Sequence, residues 1–194
     1  MHISTKMKNK KEQEKILNEE IKIPDGIIAN IDRNEIIMKK DNKEVRRKLN
    51  SIIGIKINGN QITINSKKNT RKEKKIFGTM KAHIRNMLTG LTEGFSYKLQ
   101  AVSVHFPITL KVDEQKNELL VKNFLGEKKD RVIKLIPGVE VKINKDIIEL
   151  KSPDIEKAGL IASNIEKGTK IRFRDRRVFQ DGIFIIEKPG RVLI

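Results

Sequence analysis

The sequence predicts an α+β fold in two similar domains, each an antiparallel or mixed β-sheet with a helix packed on one face. Three observations carry this prediction. The chain repeats itself in order. Asn34-Glu-Ile-Ile-Met-Lys39 recurs as Asn117-Glu-Leu-Leu-Val-Lys122, and Ile23-Pro24 as Phe106-Pro107, both 83 residues later. Ile55-Lys-Ile-Asn58 then matches Val141-Lys-Ile-Asn144 at an offset of 86, which implies a small insertion in a hairpin of the second copy. Collinear matches continue through Ile62, Ile64, Gly78, Met80 and Ile84 to Ile148, Leu150, Gly159, Ile161 and Ile165, so an internal duplication is expected. Next, short apolar runs of strand length precede one segment of helical period in each copy. Last, 31 of the 194 residues are Ile, enough to fill compact β-rich cores.

The elements follow in order. Residues 1–19 are nearly neutral and read as a tail or a short surface helix; residues 20–95 form the first repeat and 96–194 the second, with a basic C-terminal extension. A helix from about Arg71 to Leu88 closes the first repeat. Its apolar residues Ile76, Phe77, Met80, Ile84, Met87, Leu88 and Leu91 recur at helical spacing, and Gly90 and Gly94 are expected to end it. Phe95 to Val104 reads as a strand carrying the chain into the second repeat. There, Ile108 to Val112 and Glu118 to Lys122 read as strands, with Asn123 to Lys128 as a hairpin loop and Gly126 supplying positive φ. Val132, Ile133 and Leu135 continue the hairpin, and Pro137-Gly138 turns the chain. Val139 to Asn144 and Ile147 to Leu150 form another hairpin. Ser152-Pro153-Asp154 opens the second helix, with Ser152 expected as N-cap and Gly168 as the C-terminal glycine. Ile155, Ala158, Ile161, Ala162 and Ile165 are its buried stripe, and Ala158, Gly159 and Ala162 are small enough to let it lie close to a sheet.

Composition bounds the chemistry. Lys and Arg number 42 against 25 Asp and Glu, so the formal charge is +17. A polyanion, most often nucleic acid, is the default partner for such a surplus. The charge is clustered: +5 over Ser66 to Lys75, +4 over Lys39 to Lys48 and +5 over Lys167 to Arg191. With no Cys there are no disulfides and no thiolate metal sites, and three His do not easily build a metal centre. No secretory leader and no apolar run of membrane-spanning length is read, so no membrane partner is expected. The chain carries no triad order, no HExxH, no P-loop and no GxGxxG, so no catalytic residue, cofactor or small-molecule substrate is expected. His105, before Phe106-Pro107, reads as a junction histidine holding a structural hydrogen bond.

The basic sites favour folded RNA. Strand aromatics able to stack single-stranded bases are missing: the chain has seven Phe, one Tyr and no Trp, and no segment fits the RNP1 pattern. In Lys170 to Arg177, Ile171 and Phe173 alternate with Arg172 and Arg174, which reads as a strand with an apolar inner face and an Arg outer face. Asp175 and Asp181 are placed in sequence to orient those guanidinium groups, which suit bidentate phosphate contact. A peripheral protein on an anionic membrane, a polyanion-binding interaction module and a free RNA chaperone are alternative readings of the same charge.

Several segments resemble a known family. Gly90 to Ile108 (GLTEGFSYKLQAVSVHFPI), Asn123 to Lys128 (NFLGEK), Pro137 to Val139 and Arg176 to Lys188 (RRVFQDGIFIIEK) are similar to hallmark segments of the large-subunit ribosomal protein L-six family, in its archaeal and eukaryotic branch. The resemblance runs collinearly from about Ile21 to Lys188 and implies two similar α+β domains. It implies a cytoplasmic protein of the large ribosomal subunit that binds 23S-type rRNA near the sarcin-ricin loop and the stalk base. Neighbouring ribosomal proteins would lie there, and translation factors would dock nearby. Carried onto this chain, the RNA-binding residues implied are Lys170, Arg172, Arg174, Arg176 and Arg177, then Lys188, Lys128 and Lys129, then Lys81, His83 and Arg85.

Overall fold

The computed structural model describes residues 17–66, 68–175 and 177–193. The chain divides between Glu93 and Gly94 into two compact units. In the first, β1 (Leu17–Lys22), β6 (Gln61–Ser66) and β5 (Ile53–Asn58) make one antiparallel sheet in the order β1-β6-β5. β2 (Ile28–Asp32), β3 (Glu35–Lys40) and β4 (Lys43–Lys48) make a second. α1 (Arg71–Thr92) covers both. Leu17 to Glu19, expected in the tail, pair with β6 instead: Ile21 takes a core position opposite Ile62, and the ladder continues back to Leu17 and Ser66.

The second unit repeats this plan. β8 (Thr109–Asp113), β9 (Glu118–Lys122) and β10 (Arg131–Lys134) match β2, β3 and β4; β11 (Glu140–Asn144), β12 (Ile147–Ser152) and β7 (Phe95–Val102) match β5, β6 and β1. α2 (Ile155–Gly168) takes the place of α1. Two strands are added: β13 (Gly182–Lys188) pairs with the free side of β7, and β14 (Arg191–Val192) pairs with β13. The change of repeat offset lies where β3 and β9 turn. Met38 faces Val45 across its hairpin, whereas Val121 faces Arg131. The longer turn holds a 3₁₀ segment, Phe124–Gly126, with Asn123 and Leu125 left-handed as well as Gly126. Asn tolerates that conformation, and Phe124 compensates for the loop's cost by burying its ring in the core.

The cores follow the periods of the elements. Ile62 and Ile64 alternate inward on β6, as Ile148 and Leu150 do on β12, and all four are fully buried. Phe77, Met80, Ile84, Met87, Leu88 and Leu91 line the buried face of α1, while Ala158, Ile161, Ala162 and Ile165 line that of α2. Gly90, expected as a stop, is instead a buried residue inside α1, and Gly94 (φ +77) supplies the left-handed turn after it.

The caps are local chemistry. At α1, the Thr70 hydroxyl accepts the Glu73 N–H while the Glu73 carboxylate accepts the Thr70 N–H, a reciprocal capping box. Thr70→Ala is expected to cost about 1 kcal/mol, read as a lower melting temperature for the first unit with unchanged helix content at low temperature. At α2 the N-cap is Asp154, not Ser152. Asp154 Oδ1 accepts the Glu156 N–H at 2.9 Å, and the Ser152 hydroxyl accepts the Asp154 N–H one step earlier. Gly168 is the last helical residue rather than a left-handed one past the end. Its reason is space: a Cβ there would stand 2.9 Å from Ile133 Cγ1. Gly159 is similarly close to β7, where a Cβ would meet the Tyr97 hydroxyl at 3.0 Å.

Candidate nucleic-acid interface

In the second unit the chain leaves α2 through buried Thr169. Its hydroxyl donates to Ile165 O at 3.2 Å and accepts the Ile183 N–H at 3.0 Å, pinning the helix end to β13. Over Lys170 to Asp175 and Arg177 to Gln180 the backbone is irregular, not the strand that the alternating pattern predicts. A strand needs a partner edge, and β7, beside which this segment enters the sheet, is already paired on both sides. Among the described residues of this segment only Ile171 packs on the core; Phe173 points outward with φ +61. Lys170, Arg172, Arg174 and Arg177 are all exposed. Arg176 lies outside the described residues.

This loop is anchored. The Arg174 guanidinium lies 4.7 Å over the Phe179 ring, which stacks on His105 with centroids 4.8 Å apart. Asp175 closes a turn: its carbonyl accepts the Phe179 N–H at 2.9 Å and its carboxylate accepts the Arg177 backbone N–H at 2.9 Å. It shapes backbone, and among the described residues it orients no guanidinium, contrary to the sequence expectation. The same correction applies to Asp181. Its Oδ1 accepts the Val104 N–H at 2.8 Å and the His105 N–H at 3.1 Å, and Oδ2 meets His105 Nδ1 at 2.6 Å. Burial by itself pushes the Asp181 carboxyl up. The hydrogen bonds from His105 and Val104 outweigh that and hold it below the ordinary aspartate range. His105 therefore holds a structural hydrogen bond, as the sequence suggests, and does so within the second unit.

The β9–β10 hairpin joins the same surface. Arg131 is the organiser. It forks onto Glu127 (Nε to Oε2, 2.8 Å; Nη2 to Oε1, 2.5 Å), donates to Gly168 O at 3.0 Å and lies 4.1 Å over the Phe124 ring. The Arg131 hydrogen bonds hold the Glu127 carboxyl below its usual range, and the Arg174 charge adds to this, so the hairpin and the Arg loop are electrostatic neighbours. Lys128 and Lys129 stand exposed beside them. Among the described residues, Lys128, Lys129, Lys170, Arg172 and Arg177 form no ion pair with a carboxylate. Arg131 was missed by sequence reasoning: a spacing of four brings Glu and Arg together on a helix, whereas here the hairpin turn brings Arg131 onto Glu127.

Lys188 is not part of this cluster. It ends β13, opposite Arg191, roughly 20 Å along the strand from Gly182 at the loop end. In the first unit, Lys81 (2.6 Å) and Arg85 (3.1 Å) both pair with Glu19, so two cations share one carboxylate. His83 Nε2 lies 2.8 Å from Arg47 Nη2. Among the described residues no cluster of His, Asp or Glu is placed to hold a metal ion, and no helix is long and apolar enough to cross a membrane. The arrangement in the second unit offers a row of unneutralised cations on an anchored loop and an adjoining hairpin, suited to successive phosphates.

Comparison with known proteins agrees with the duplicated fold. A family model described as ribosomal protein L6 matches residues 23–94 and again 106–182. The large ribosomal subunit protein uL6 of Desulfurococcus amylolyticus is 38% identical over 172 residues, covering 88% of this chain and 94% of that protein. The large ribosomal subunit protein uL6 of Methanococcus vannielii is 38% identical over 179 residues, covering 92% and 97%.

Proposed function

Because the chain belongs to the ribosomal protein L6 family, it is a structural component of the large ribosomal subunit and not an enzyme, and we propose that it holds folded 23S-type rRNA near the sarcin-ricin loop and the stalk base. It acts in the cytoplasm as part of the ribosome, among rRNA and other ribosomal proteins. The observation that carries the RNA reading is the exposed cation cluster of the second unit, free of carboxylate partners at Lys128, Lys129, Lys170, Arg172 and Arg177. Arg174 and Arg176 belong to the same proposed contact. Lys and Arg there replace counterions on phosphates, and the anchored loop fixes their register. Lys188 is a separate contact on the same unit. Lys81, His83 and Arg85 are a weaker one on the first unit, because Glu19 already pairs with both Lys81 and Arg85. In this reading neighbouring proteins of the stalk base surround the contact, and translation factors dock nearby.

Filter binding to transcribed sarcin-ricin and stalk-base RNA across a salt series tests the mechanism. About six phosphate contacts give a log-log slope of roughly −4 to −6. A flat salt series would exclude electrostatic clamping. Sedimentation of cell extract in a sucrose gradient should place the chain with large subunits; a chain found only at the top of the gradient would count against the whole assignment.

A further inference from the structure

We propose that Phe173 stacks on an unpaired base of the bound RNA, so that the Arg loop reads a base as well as phosphates. The inference rests on the rRNA reading above and adds a second kind of contact to it. Phe173 is the most exposed apolar residue described, at 105% of its reference area, whereas Phe124 on the neighbouring hairpin is buried. Its backbone is left-handed, φ +61, a conformation that a bulky residue rarely takes. Neither property serves the fold of the free protein. A glycine or asparagine would relieve the backbone, and any polar residue would suit the exposure better.

The outward pose is built, not incidental. Two residues before it, Ile171 packs on the core. One residue after it, the Arg174 guanidinium is held over Phe179, and Asp175 closes the following turn onto Val178 and Phe179. The loop is thus anchored on both sides while its tip carries an aromatic ring into solvent. Exposed Arg172 and Arg174 flank that ring. An aromatic between two cations suits a nucleotide, whose phosphates meet the guanidinium groups while the base covers the ring. The same charges disfavour a basic or purely apolar protein partner.

The chain contains no Trp, so Phe173→Trp places a single indole reporter at the tip. The probe is deproteinised large-subunit rRNA, with the full-length protein throughout. Stacking predicts that Phe173→Ala binds about tenfold more weakly with an unchanged salt slope, since no charge is removed. Phe173→Trp should bind like the wild type and lose fluorescence when the RNA is added. Unchanged affinity of Phe173→Ala together with an unquenched indole would overturn the proposal while a normal salt slope left the phosphate contacts standing. Normal RNA binding by Phe173→Ala, but weaker retention on assembled large subunits, would assign the ring to a protein neighbour and equally overturn it. If instead Phe173→Ala is weakened while an Arg172→Ala and Arg174→Ala protein is not, stacking stands and the electrostatic reading fails. Absence of any wild-type binding at low salt would overturn both.

Discussion

Replacing Arg172 and Arg174 together by Ala is expected to weaken rRNA binding roughly 100-fold near physiological salt, taking about tenfold for each guanidinium–phosphate hydrogen-bonded pair removed. Two neutralised phosphates also carry a signature in the salt series, where the slope should become shallower by about 2. The fold should survive, because both side chains are exposed and only Arg174 has a packing role, its place over the Phe179 ring. Circular dichroism should therefore be unchanged, with at most a small fall in melting temperature. Lys188→Ala is the useful comparison. It removes one cation at the far end of β13 and should weaken binding far less. An unchanged affinity in the double variant, with intact dichroism, would show that RNA meets a different face.

Asp181→Ala is expected to destabilise the second unit by about 3 kcal/mol, since two backbone N–H groups and a histidine are deprived of their acceptor at a site only 3% exposed. Asp181→Asn separates the contributions. Its amide oxygen can still accept from Val104 and His105, so it should cost about half as much, the difference being the charge toward the imidazole. The pH dependence has a definite sign. The folded carboxyl titrates below its unfolded value, near 3.9, so its contribution is fully present above about pH 4 and is lost as pH falls further. Wild type and Asp181→Asn should therefore converge in stability on acidification below about pH 4. Equal melting temperatures at pH 7 for wild type and Asp181→Ala would show that the second unit does not depend on this carboxylate. The RNA consequence is indirect: Asp181 holds His105, His105 stacks on Phe179, and Phe179 lies under Arg174.

The duplication, the strand pairs, α1 and α2 were legible because they rest on order and period. Ile62 and Ile64 on a strand, or Met80 and Ile84 on a helix, declare a buried face wherever the chain places it. The loop after α2 was misread for the same reason. Its apolar and basic residues alternate with the period of a strand, but whether a strand forms depends on a free partner edge, and β7 had none left. That pairing is settled by residues far away in sequence. The roles of Asp175 and Asp181 were hidden with it, since a carboxylate beside arginines invites an ion pair and only the fold shows backbone N–H groups arriving first. Gly168 looked like a cap from its position, while the approach of Ile133 that requires it comes from another element. At the candidate site the residue types were readable; which of them share a surface was not. Lys128 and Lys129 join the Arg loop through Glu127 and Arg131, whereas Lys188, much closer to it in sequence, does not.

The place of β7 in its sheet has a consequence for how the protein comes into being. Leu99 pairs with Ile148 on one side and with Ile185 on the other, near the end of the chain. During synthesis β1 to β6 and α1 of the first unit are all available once Thr92 has emerged. The second must wait, its middle strand half-paired, until β13 follows. Closing such long loops is entropically costly and makes that half the slower to fold. The Arg loop is tethered between α2 and β13, so it acquires its second anchor only once β13 has emerged and paired with β7. A chain cut before Gly182 would carry the arginines without the strand that frames them.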